Sequence, residues 1–357
     1  MLTTCAAGSE RTTPDVTLAE KVAFLLRPAS YPDAPARVEA RETRFSWVFL
    51  TDRCAYKLKK PVTTPHFDLA TPALRRANAE AEVSLNARLA PGIYLGLVPL
   101  VSPTQGRLQL GGEGVAVDWL VRMRRLPDAQ MLDTHIREGT VQRAAVEAVA
   151  DRLAAFYAAA PPVALSAGDY LGRFAGEQAE SRRLLRDSAF GLATADVEAV
   201  LAPVDALLRE APHMLLARLE AGCIVEGHGA LRPEHIYLGD PPAAIDCLEF
   251  SRRLRLLDPF EELAYLGMEC AVLGADWIGK LLIARCAARL SDPVPPRLVA
   301  FYTAFRAAMR ARQAVAHLLD HPPREPAKWL PLARRYLAAG ALAASRLGAG
   351  GDHDIPA

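Results

Sequence analysis

The sequence predicts an α+β fold in two parts, a small antiparallel sheet followed by a larger and mainly helical region. Short segments rich in β-forming residues, separated by turn residues, fill the chain from residue 37 to residue 126. Beyond Pro127, apolar residues recur at helical spacing in one segment after another. The only strand-like segments there, IYLG and AAID, flank a polar loop at residues 228–235. We therefore predict an N-terminal region of residues 1–126 and a C-terminal region of residues 127–357.

Composition argues against several classes of protein. The 42 lysines and arginines nearly balance the 41 aspartates and glutamates, so the net charge of +1 gives no general reason to bind nucleic acid or an anionic membrane. Six scattered cysteines without a C-x-x-C pair predict reduced, mostly buried thiols and a cytoplasmic protein. The N-terminus lacks the basic start and apolar core of a signal peptide, and no segment reaches the ~18 apolar residues of a membrane span.

The N-terminal region begins with a predicted helix at Val16–Leu26, after a polar segment of residues 1–14. Three strands follow, VEARET, FSWVFLT and CAYKLKK, with turn residues between them. Thr71 and Pro72 then open a helix as its N-cap and first-turn residue. The segment YLGLVPLV and the hairpin RLQLGGEGVAVDWLVRMRRL, which has glycines at its turn, supply the last strands of the sheet.

The third strand and the second helix carry charged side chains that are placed to meet. Lys57 and Lys59 lie two residues apart and therefore on one face of the strand. Glu82 shares a helix face with Leu85, whereas Glu80 lies off that face. A carboxylate on an apolar face is poorly placed for water, so this pattern predicts an ion pair with a strand lysine.

Seven helices are predicted in the C-terminal region: Val141–Ala160, Asp169–Ala189, Thr194–Ala221, Pro259–Leu273, Trp277–Leu290, Pro296–Leu319 and Lys328–Leu347. In the sixth of them, Arg306 and Arg310 stand one turn apart. We interpret these arginines as a solvated basic edge, with the lining of a substrate pocket as the alternative.

The most specific motif lies in residues 223–250, CIVEGHGALRPEHIYLGDPPAAIDCLEF. HGALRPEH is a polar loop between two apolar runs, and AAIDCLEF is predicted to be a short buried strand with an acidic end. Protein kinases carry H-R-D-L-x-x-x-N followed by D-F-G in this arrangement. The spacing matches without a gap, although Gly229, Ala230 and His235 differ from the kinase pattern. The motif resembles that of the aminoglycoside phosphotransferase-like kinases, and within them a bacterial branch that reads HGDLRPEH…IDCLEF.

The resemblance implies a two-lobed, protein-kinase-like fold that binds Mg²⁺ and ATP (or GTP) between its lobes and moves the γ-phosphoryl group to a hydroxyl. It implies that Asp246 binds the metal, since a carboxylate that ends an apolar strand is costly to bury without a metal or donors. His235 takes the place of the second metal-binding residue, and both metal ligation and structural hydrogen bonding stay open for it. Glu249 is expected either to assist the metal or to hold the loop.

The loop itself supplies the expected transfer chemistry, with one departure. Arg232 is expected to neutralise the transferred phosphoryl group, and His228 to fasten the loop to backbone or to Asp258. The family has aspartate after His-Gly, where this chain has Ala230. A methyl group can neither accept a proton nor orient a hydroxyl, and such a base contributes roughly 10²–10⁴-fold. Ala230 is either an inactivating substitution in a kinase or the mark of a natural pseudokinase, and the intact neighbouring motif favours the first.

On the nucleotide side, the resemblance ranks the two lysines. Cys54-Ala55-Tyr56-Lys57 fits the V-A-I-K frame, whose lysine pairs the phosphates and a helix glutamate. We therefore place Lys57 ahead of Lys59, with Glu82 as its partner.

Two backbone segments complete the expected nucleotide site. No glycine-rich loop precedes the lysines, so the turn Glu42–Ser46 would cover the phosphates, with the hydroxyl of Ser46 or Thr43 as a contact. The run Val121–Pro127 would be the hinge, where adenine bonds backbone groups from Met123 and Arg124 to Arg125.

The acceptor is not encoded in any motif. A small-molecule hydroxyl is the expected acceptor, and a protein or an RNA is the alternative, although the sequence shows no basic stripe for RNA. A rival interpretation is a pseudokinase that senses nucleotide or binds a protein partner as a scaffold. No G-x-x-x-x-G-K-[ST] occurs, so the P-loop module to which some members of this branch are fused is not found in this sequence.

Overall fold

The computed structural model describes residues 16–64, 67–102, 107–320 and 325–348, and the predicted polar segment 1–14 lies outside them. The backbone forms two compact units. The first contains the chain up to Pro127 together with Glu249–Ser251, and the second contains the remainder. The sheet lies in the first unit and most of the helices lie in the second, which confirms the predicted α+β class.

In its described residues, the first unit is an antiparallel sheet with two α-helices. Its elements are α1 Leu18–Leu25, β1 Glu39–Glu42, β2 Ser46–Leu50, β3 Cys54–Lys59, α2 Pro72–Ala87, β4 Tyr94–Ser102, β5 Gln109–Leu110 and β6 Val115–Arg124. The strand order is β1-β2-β3-β6-β4-β5, so β6 lies between β3 and β4. Because β6 ends at Arg124, the first part of the predicted hinge is a strand of the sheet.

Helix α2 is fixed to the sheet at its start. The hydroxyl of Thr71 accepts a hydrogen bond from the Leu74 N–H, which is the predicted N-cap. Near this end, the buried Arg75 guanidinium donates to both carboxylate oxygens of Asp118 in β6, at 2.9 and 2.8 Å. Lys21 of α1 reaches the same carboxylate at 2.8 Å. This network sets the face that α2 presents to the sheet, and with it the direction of Glu82.

The second unit is mainly helical in the part of the chain that the structure describes. Its helices are α3 Leu132–Glu138, α4 Arg143–Ala159, α5 Ala167–Leu185, α6 Thr194–Glu210, α7 His213–Glu220, α8 Pro259–Val272, α9 Asp276–Leu290, α10 Pro296–Ala316 and α11 Pro326–Ala344. Two small strand pairs interrupt them. β7 Val225–Glu226 pairs with β10 Leu256–Leu257, and β8 Ile236–Tyr237 pairs with β9 Ala243–Ala244. Strand β7 precedes the loop at 228–235 and strand β8 follows it, so the motif predicted from the sequence lies between the two strand pairs.

One predicted helix is wrong in its extent. The segment Thr194–Ala221 forms two helices, because Ala211, which precedes Pro212, leaves the helical conformation (φ −132°, ψ 41°), although α6 continues through Pro203. Proline at this place begins α7 instead, as its N-cap. Helix α3 was not predicted.

Among the described residues, no helix has both the length and the apolar character needed to cross a membrane.

Candidate functional site

The two lysines of β3 both meet the predicted glutamate of α2. Lys57 Nζ lies 2.9 Å from Oε1 of Glu82, and Lys59 Nζ lies 2.6 Å from Oε2. Glu82 is fully buried, with 0% of its side chain exposed. Lys59 also reaches Oε1 of Glu249 at 2.6 Å. The structure thus places both lysines on one face, as predicted, and makes Glu82 a bridge between them.

The turn before β2 is held closed by its own backbone. The Ser46 N–H donates to the Thr43 hydroxyl at 2.9 Å, and the Thr43 N–H donates to the Ser46 carbonyl at 2.8 Å. Lys60 fastens the turn, since its N–H donates to the Phe45 carbonyl and its Nζ to the Thr43 carbonyl, at 2.8 and 2.7 Å. Ser46 is buried, so the contact of its hydroxyl with a phosphate stays a prediction.

The predicted adenine-binding residues lie at the end of β6. Met123 pairs with Ala55 and Arg124 with Cys54 in the antiparallel ladder. The Arg124 N–H donates to the Ile93 carbonyl and the Arg125 N–H to the Arg53 carbonyl, each at 2.8 Å. These two N–H groups therefore already have partners inside the sheet.

His228 fastens the loop as expected, and it does so through backbone. Its Nδ1 accepts from the Ala230 N–H at 3.4 Å, so the ring carries its proton on Nε2, which donates to the Ile245 carbonyl at 2.9 Å. Asp258, the alternative partner, instead accepts from Arg218 at 2.6 Å and from the Tyr302 hydroxyl at 3.1 Å. The fully buried His228 ring thus joins the loop to the segment that carries Asp246.

Sequence reasoning missed Glu262, the residue that holds the start of the loop. Its fully buried carboxylate accepts from the His228 N–H at 3.0 Å, from the Gly229 N–H at 2.5 Å and from the Tyr157 hydroxyl at 2.8 Å. Gly229 has φ +84°, and a Cβ there would lie 3.0 Å from the side chain of Arg255, so only glycine suits this turn. The sequence signal for this anchor is the acidic pair Glu261 and Glu262, shortly after Asp258-Pro259. Such a pair indicates the start of a helix as readily as an anchor for a loop.

His235 is neutral in this environment and makes structural hydrogen bonds. Burial, reinforced by the positive charge of Arg232, lowers the pKa of His235 to about 4. Its Nδ1 donates to the Ala230 carbonyl at 2.8 Å, and its Nε2 accepts from the Arg232 guanidinium at 3.1 Å. The same Nε2 lies 3.5 Å from Oδ2 of Asp246. His235 therefore links the loop to Arg232 and lies beside the predicted metal ligand.

Asp246 differs from the sequence-based picture in its exposure. The expectation of a buried carboxylate at the end of a strand is wrong, because β9 ends at Ala244 and 45% of the Asp246 side chain is exposed. Its backbone has φ +60°, the left-handed conformation that costs a non-glycine residue of order 1–3 kcal/mol. On either side of it, the Ile245 N–H donates to the His235 carbonyl and the Leu248 N–H to the His228 carbonyl. Strain that the surrounding loop maintains is typical of a functional residue.

The residues around Asp246 fit a magnesium ion that is shared with a ligand. In the described part of the chain, no group of three or more His, Cys, Asp or Glu side chains could hold a metal ion alone. Mg²⁺, however, is usually bound by one or two carboxylates together with substrate phosphates. The half-exposed Asp246 carboxylate supplies such a hard oxygen ligand, whereas the Nε2 of His235 already accepts from Arg232.

The interpretation of Arg306 and Arg310 as a solvated edge is wrong. Arg306 is 6% exposed and lies 2.7 Å from Oε1 of Glu261, while Arg310 bonds Glu269 and the Tyr336 hydroxyl. Helix α10 packs against its neighbours on all sides, so its arginines are paired inside the helical unit. Periodicity places them on one face, but only the acidic residues of α8 decide that this face is buried.

Comparison with known proteins finds uncharacterised relatives and a set of similar folds. No family model matches the chain. It is 34% identical over 278 residues to uncharacterised proteins of Mycobacterium tuberculosis and Mycobacterium bovis. The aligned part covers 77% of this chain and 54% of each relative, so the chain spans about half the length of the curated relatives it matches.

Solved structures share the fold. A choline/ethanolamine kinase family protein of Mesorhizobium loti matches with a TM-score of 0.50 and 15% identity, over 90% of this chain and 99% of its own. A mutant aminoglycoside phosphotransferase, APH(4)-Ia, in a ternary complex with AMP-PNP and hygromycin B, matches with a TM-score of 0.51 and 10% identity, over 90% and 97%. The chain has the protein-kinase-like fold of the aminoglycoside phosphotransferases and the choline/ethanolamine kinases. This finding confirms the kinase-like fold that the resemblance implied.

Proposed function

We propose that this chain is a phosphotransferase of the kinase type, which uses ATP (or GTP) and Mg²⁺ and moves the γ-phosphoryl group to a hydroxyl. The observation that carries the proposal is the fully buried Glu82, each of whose carboxylate oxygens meets a different lysine of β3. A strand lysine paired with a helix glutamate is the arrangement with which protein kinases hold the nucleotide phosphates. The similarly folded phosphotransferase bound to AMP-PNP supports nucleotide as the ligand.

The residues divide the proposed work. Lys57 binds the phosphates, with Glu82 orienting its ammonium. Asp246 holds the metal, which would neutralise charge on the phosphate oxygens when bound. Arg232 lies 3.1 Å from the Nε2 of His235 and 3.0 Å from Oε1 of Glu234, and its side chain is 25% exposed. We propose that its guanidinium exchanges the exposed Glu234 for the equatorial oxygens of the transferred group. His228 keeps the loop in shape.

Adenine (or guanine) is proposed to bind the backbone at the end of β6. The N–H groups of Arg124 and Arg125 donate to Ile93 and Arg53, and Met123 is paired in the ladder with Ala55 and Tyr94. The proposed contacts are therefore the remaining backbone groups of the segment from Met123 and Arg124 to Arg125. Ser46 or Thr43 of the preceding turn is proposed to contact a phosphate through its hydroxyl.

Ala230 makes the proposed transfer slow. The loop around it is intact, since His228 and His235 both bond its backbone, but no side chain there can take the proton of an acceptor hydroxyl. A positioned base contributes roughly 10²–10⁴-fold, so we expect nucleotide binding with impaired turnover.

The proposed acceptor is a small molecule with a hydroxyl group. The related folds include a phosphotransferase in complex with hygromycin B, which shows a small-molecule ligand in such a fold. A protein or an RNA acceptor is the alternative, and the net charge of +1 gives no support for RNA. We place the activity in the cytoplasm, because Cys54, Cys223, Cys247, Cys270 and Cys286 are free thiols, as a reducing compartment maintains them.

The second candidate function is a pseudokinase that binds nucleotide as a sensor or a scaffold. Ala230 is the observation that favours it. The strained Asp246 and the paired Lys57 argue for retained phosphoryl chemistry, since a pure scaffold has no need of a metal ligand in a costly conformation.

The experiment is phosphoryl transfer by the chain as given and by Ala230→Asp and Ala230→Asn variants. Each protein is incubated with γ-labelled ATP, Mg²⁺ and a fractionated bacterial extract. Label transferred at least 100-fold faster by Ala230→Asp alone supports the proposal, since asparagine has the same shape without basicity. The labelled fraction then shows whether the acceptor is a small molecule, a protein or an RNA. If all three forms bind nucleotide and none transfers label, the pseudokinase takes its place.

A further inference from the structure

The two lysines of β3 have different surroundings. The side chain of Lys59 is 2% exposed, and its Nζ lies 2.6 Å from Glu82 and 2.6 Å from Glu249. Lys57 is 13% exposed and lies 2.9 Å from Glu82. An ammonium has three donors, and Lys59 directs two of them to carboxylates of the protein itself. By its exposed fraction, Lys57 is the more accessible of the two to a ligand.

Glu82 gives one carboxylate oxygen to each lysine. A fully buried carboxylate is costly unless a cation compensates it. If a single lysine had to compensate Glu82 and also bind a nucleotide phosphate, the two would compete for the same ammonium. With two lysines, Lys57 can turn toward a phosphate while Lys59 stays on Oε2 of Glu82.

Lys59 also anchors the chain that follows the predicted metal ligand. Glu249 comes three residues after Asp246 and belongs to the first unit, together with Phe250 and Ser251. The Phe250 ring lies 4.7 Å from that of Phe67, which adds a second anchor beside the Lys59–Glu249 ion pair. Residues that orient a metal ligand without binding the metal themselves typically change the metal affinity 10–100-fold when they are removed.

Resting on the function proposed above, we propose that Lys59 is a positioning residue. It keeps Glu82 compensated when Lys57 binds phosphate, and through Glu249 it fixes the segment that carries Asp246. Lys57 is then the phosphate-binding lysine, and Lys59 does not touch the nucleotide.

The test is the Mg²⁺ dependence of nucleotide binding by the full chain. Labelled ATP is titrated at a series of Mg²⁺ concentrations and in EDTA, with Lys59→Met, Glu249→Gln and Lys57→Met. The Lys59 and Glu249 variants should both raise the Mg²⁺ concentration for half-maximal binding about 10-fold. Glu249→Gln should leave metal-free binding unchanged, whereas Lys59→Met should also weaken it, because Lys57 must then serve both Glu82 and the phosphate. Lys57→Met should weaken binding with and without the metal. Lys280→Met is the control, because this lysine forms an exposed ion pair on α9.

The outcomes separate this role from the proposed function. No nucleotide binding by the unaltered chain would overturn the proposed function and this role together. Binding by the unaltered chain, with Lys59→Met and Glu249→Gln indistinguishable from Lys280→Met, would overturn the role of Lys59 alone. Loss of metal-free binding in Lys59→Met but not in Lys57→Met would make Lys59 the phosphate lysine. If Lys59→Met does not fold, Glu249→Gln decides, since it removes the charge that pairs with Lys59 and leaves both lysines on Glu82.

Discussion

Two fully buried glutamates, Glu82 in the first unit and Glu262 in the second, compensate their charges by different means. Glu82 meets the side-chain ammoniums of Lys57 and Lys59. Glu262 meets the backbone N–H groups of His228 and Gly229 and the hydroxyl of Tyr157. A flexible ammonium can change its partner, whereas a backbone N–H cannot move without the chain. Glu82 therefore suits a site that exchanges partners with a ligand, and Glu262 suits a loop of fixed shape.

The largest expected effect is that of Glu262→Gln on stability. The NH₂ group of glutamine is a donor and would face donors that now bond a carboxylate oxygen. The variant should therefore lose about 3 kcal/mol of unfolding free energy. Urea denaturation measures it. Tyr157→Phe, which removes one of the three donors, should lose only about 1 kcal/mol. Equal losses in the two variants would contradict the role given to the Glu262 charge.

Glu82→Gln should destabilise the protein less than Glu262→Gln and should also weaken nucleotide binding. In this variant Lys59 keeps its ion pair with Glu249. The expected loss of unfolding free energy is therefore only about 2 kcal/mol. Nucleotide affinity should fall about 10-fold, which corresponds to ~1.4 kcal/mol, because Lys57 loses its orienting partner. Titration of labelled nucleotide measures this. Unchanged affinity in a folded Glu82→Gln protein would remove the distinction between the two glutamates.

Asp246→Gly should separate strain from function. Glycine adopts φ +60° without strain but gains freedom in the unfolded chain, so the unfolding free energy should stay within ~1 kcal/mol or rise. Mg²⁺-dependent nucleotide binding should be lost. Ser291→Gly is the matched control, because Ser291 has φ +54° at the end of α9, away from the loop. A variant of Asp246 that keeps its Mg²⁺ dependence would refute the assignment of the metal ligand.

The smallest expected effect is at Asp151, an exposed counterpart of Glu82. Asp151 also lies between two cations, with Arg285 Nε at 2.7 Å and Arg289 Nε at 3.0 Å, and its side chain is 35% exposed. Asp151→Asn should cost no more than about 0.5 kcal/mol, because water and salt screen the pair. Thermal melts in low and high salt measure it. A loss as large as that of Glu82→Gln would mean that burial does not distinguish the two sites.

The same variant has a defined pH dependence. Hydrogen bonds from Arg285 and Arg289 hold the pKa of Asp151 below its usual value. A carboxyl group whose pKa is lowered by folding stabilises the protein above its unfolded pKa of about 3.9, and this stabilisation is lost as the pH falls through the folded pKa. The difference between Asp151→Asn and the unaltered chain should therefore be present at neutral pH and disappear in acid.

The sequence predicts the features that follow from local periodicity. Strand alternation places Lys57 and Lys59 on one face, and helix periodicity turns Glu82 toward them. The position of Thr71 and Pro72 at the start of α2 follows from capping chemistry in the same way. These relations involve residues close in sequence, and the structure agrees with them.

The features that the sequence does not predict depend on partners far along the chain. Glu262 accepts hydrogen bonds from Gly229 and His228, which lie 33 and 34 positions earlier in the chain. Lys59 meets Glu249 at a separation of 190 residues. Burial of Arg306 depends on Glu261 of another helix, so helical periodicity alone suggests a solvated edge. The exposure of Asp246 depends on where the short strand β9 ends. The apolar composition of AAID predicts a longer strand than the one that forms. The boundary at Pro212 does not follow from proline alone, since α6 continues through Pro203.

The most direct test of the central claim is an equilibrium titration of ATP with the unaltered chain and with Lys57→Met, in the presence of Mg²⁺. We expect saturable, Mg²⁺-dependent binding to the unaltered chain and a loss of at least 10-fold in affinity for Lys57→Met, the ratio given by ~1.4 kcal/mol. Failure of the folded, unaltered chain to bind ATP or GTP, or equal binding by both proteins, would contradict it.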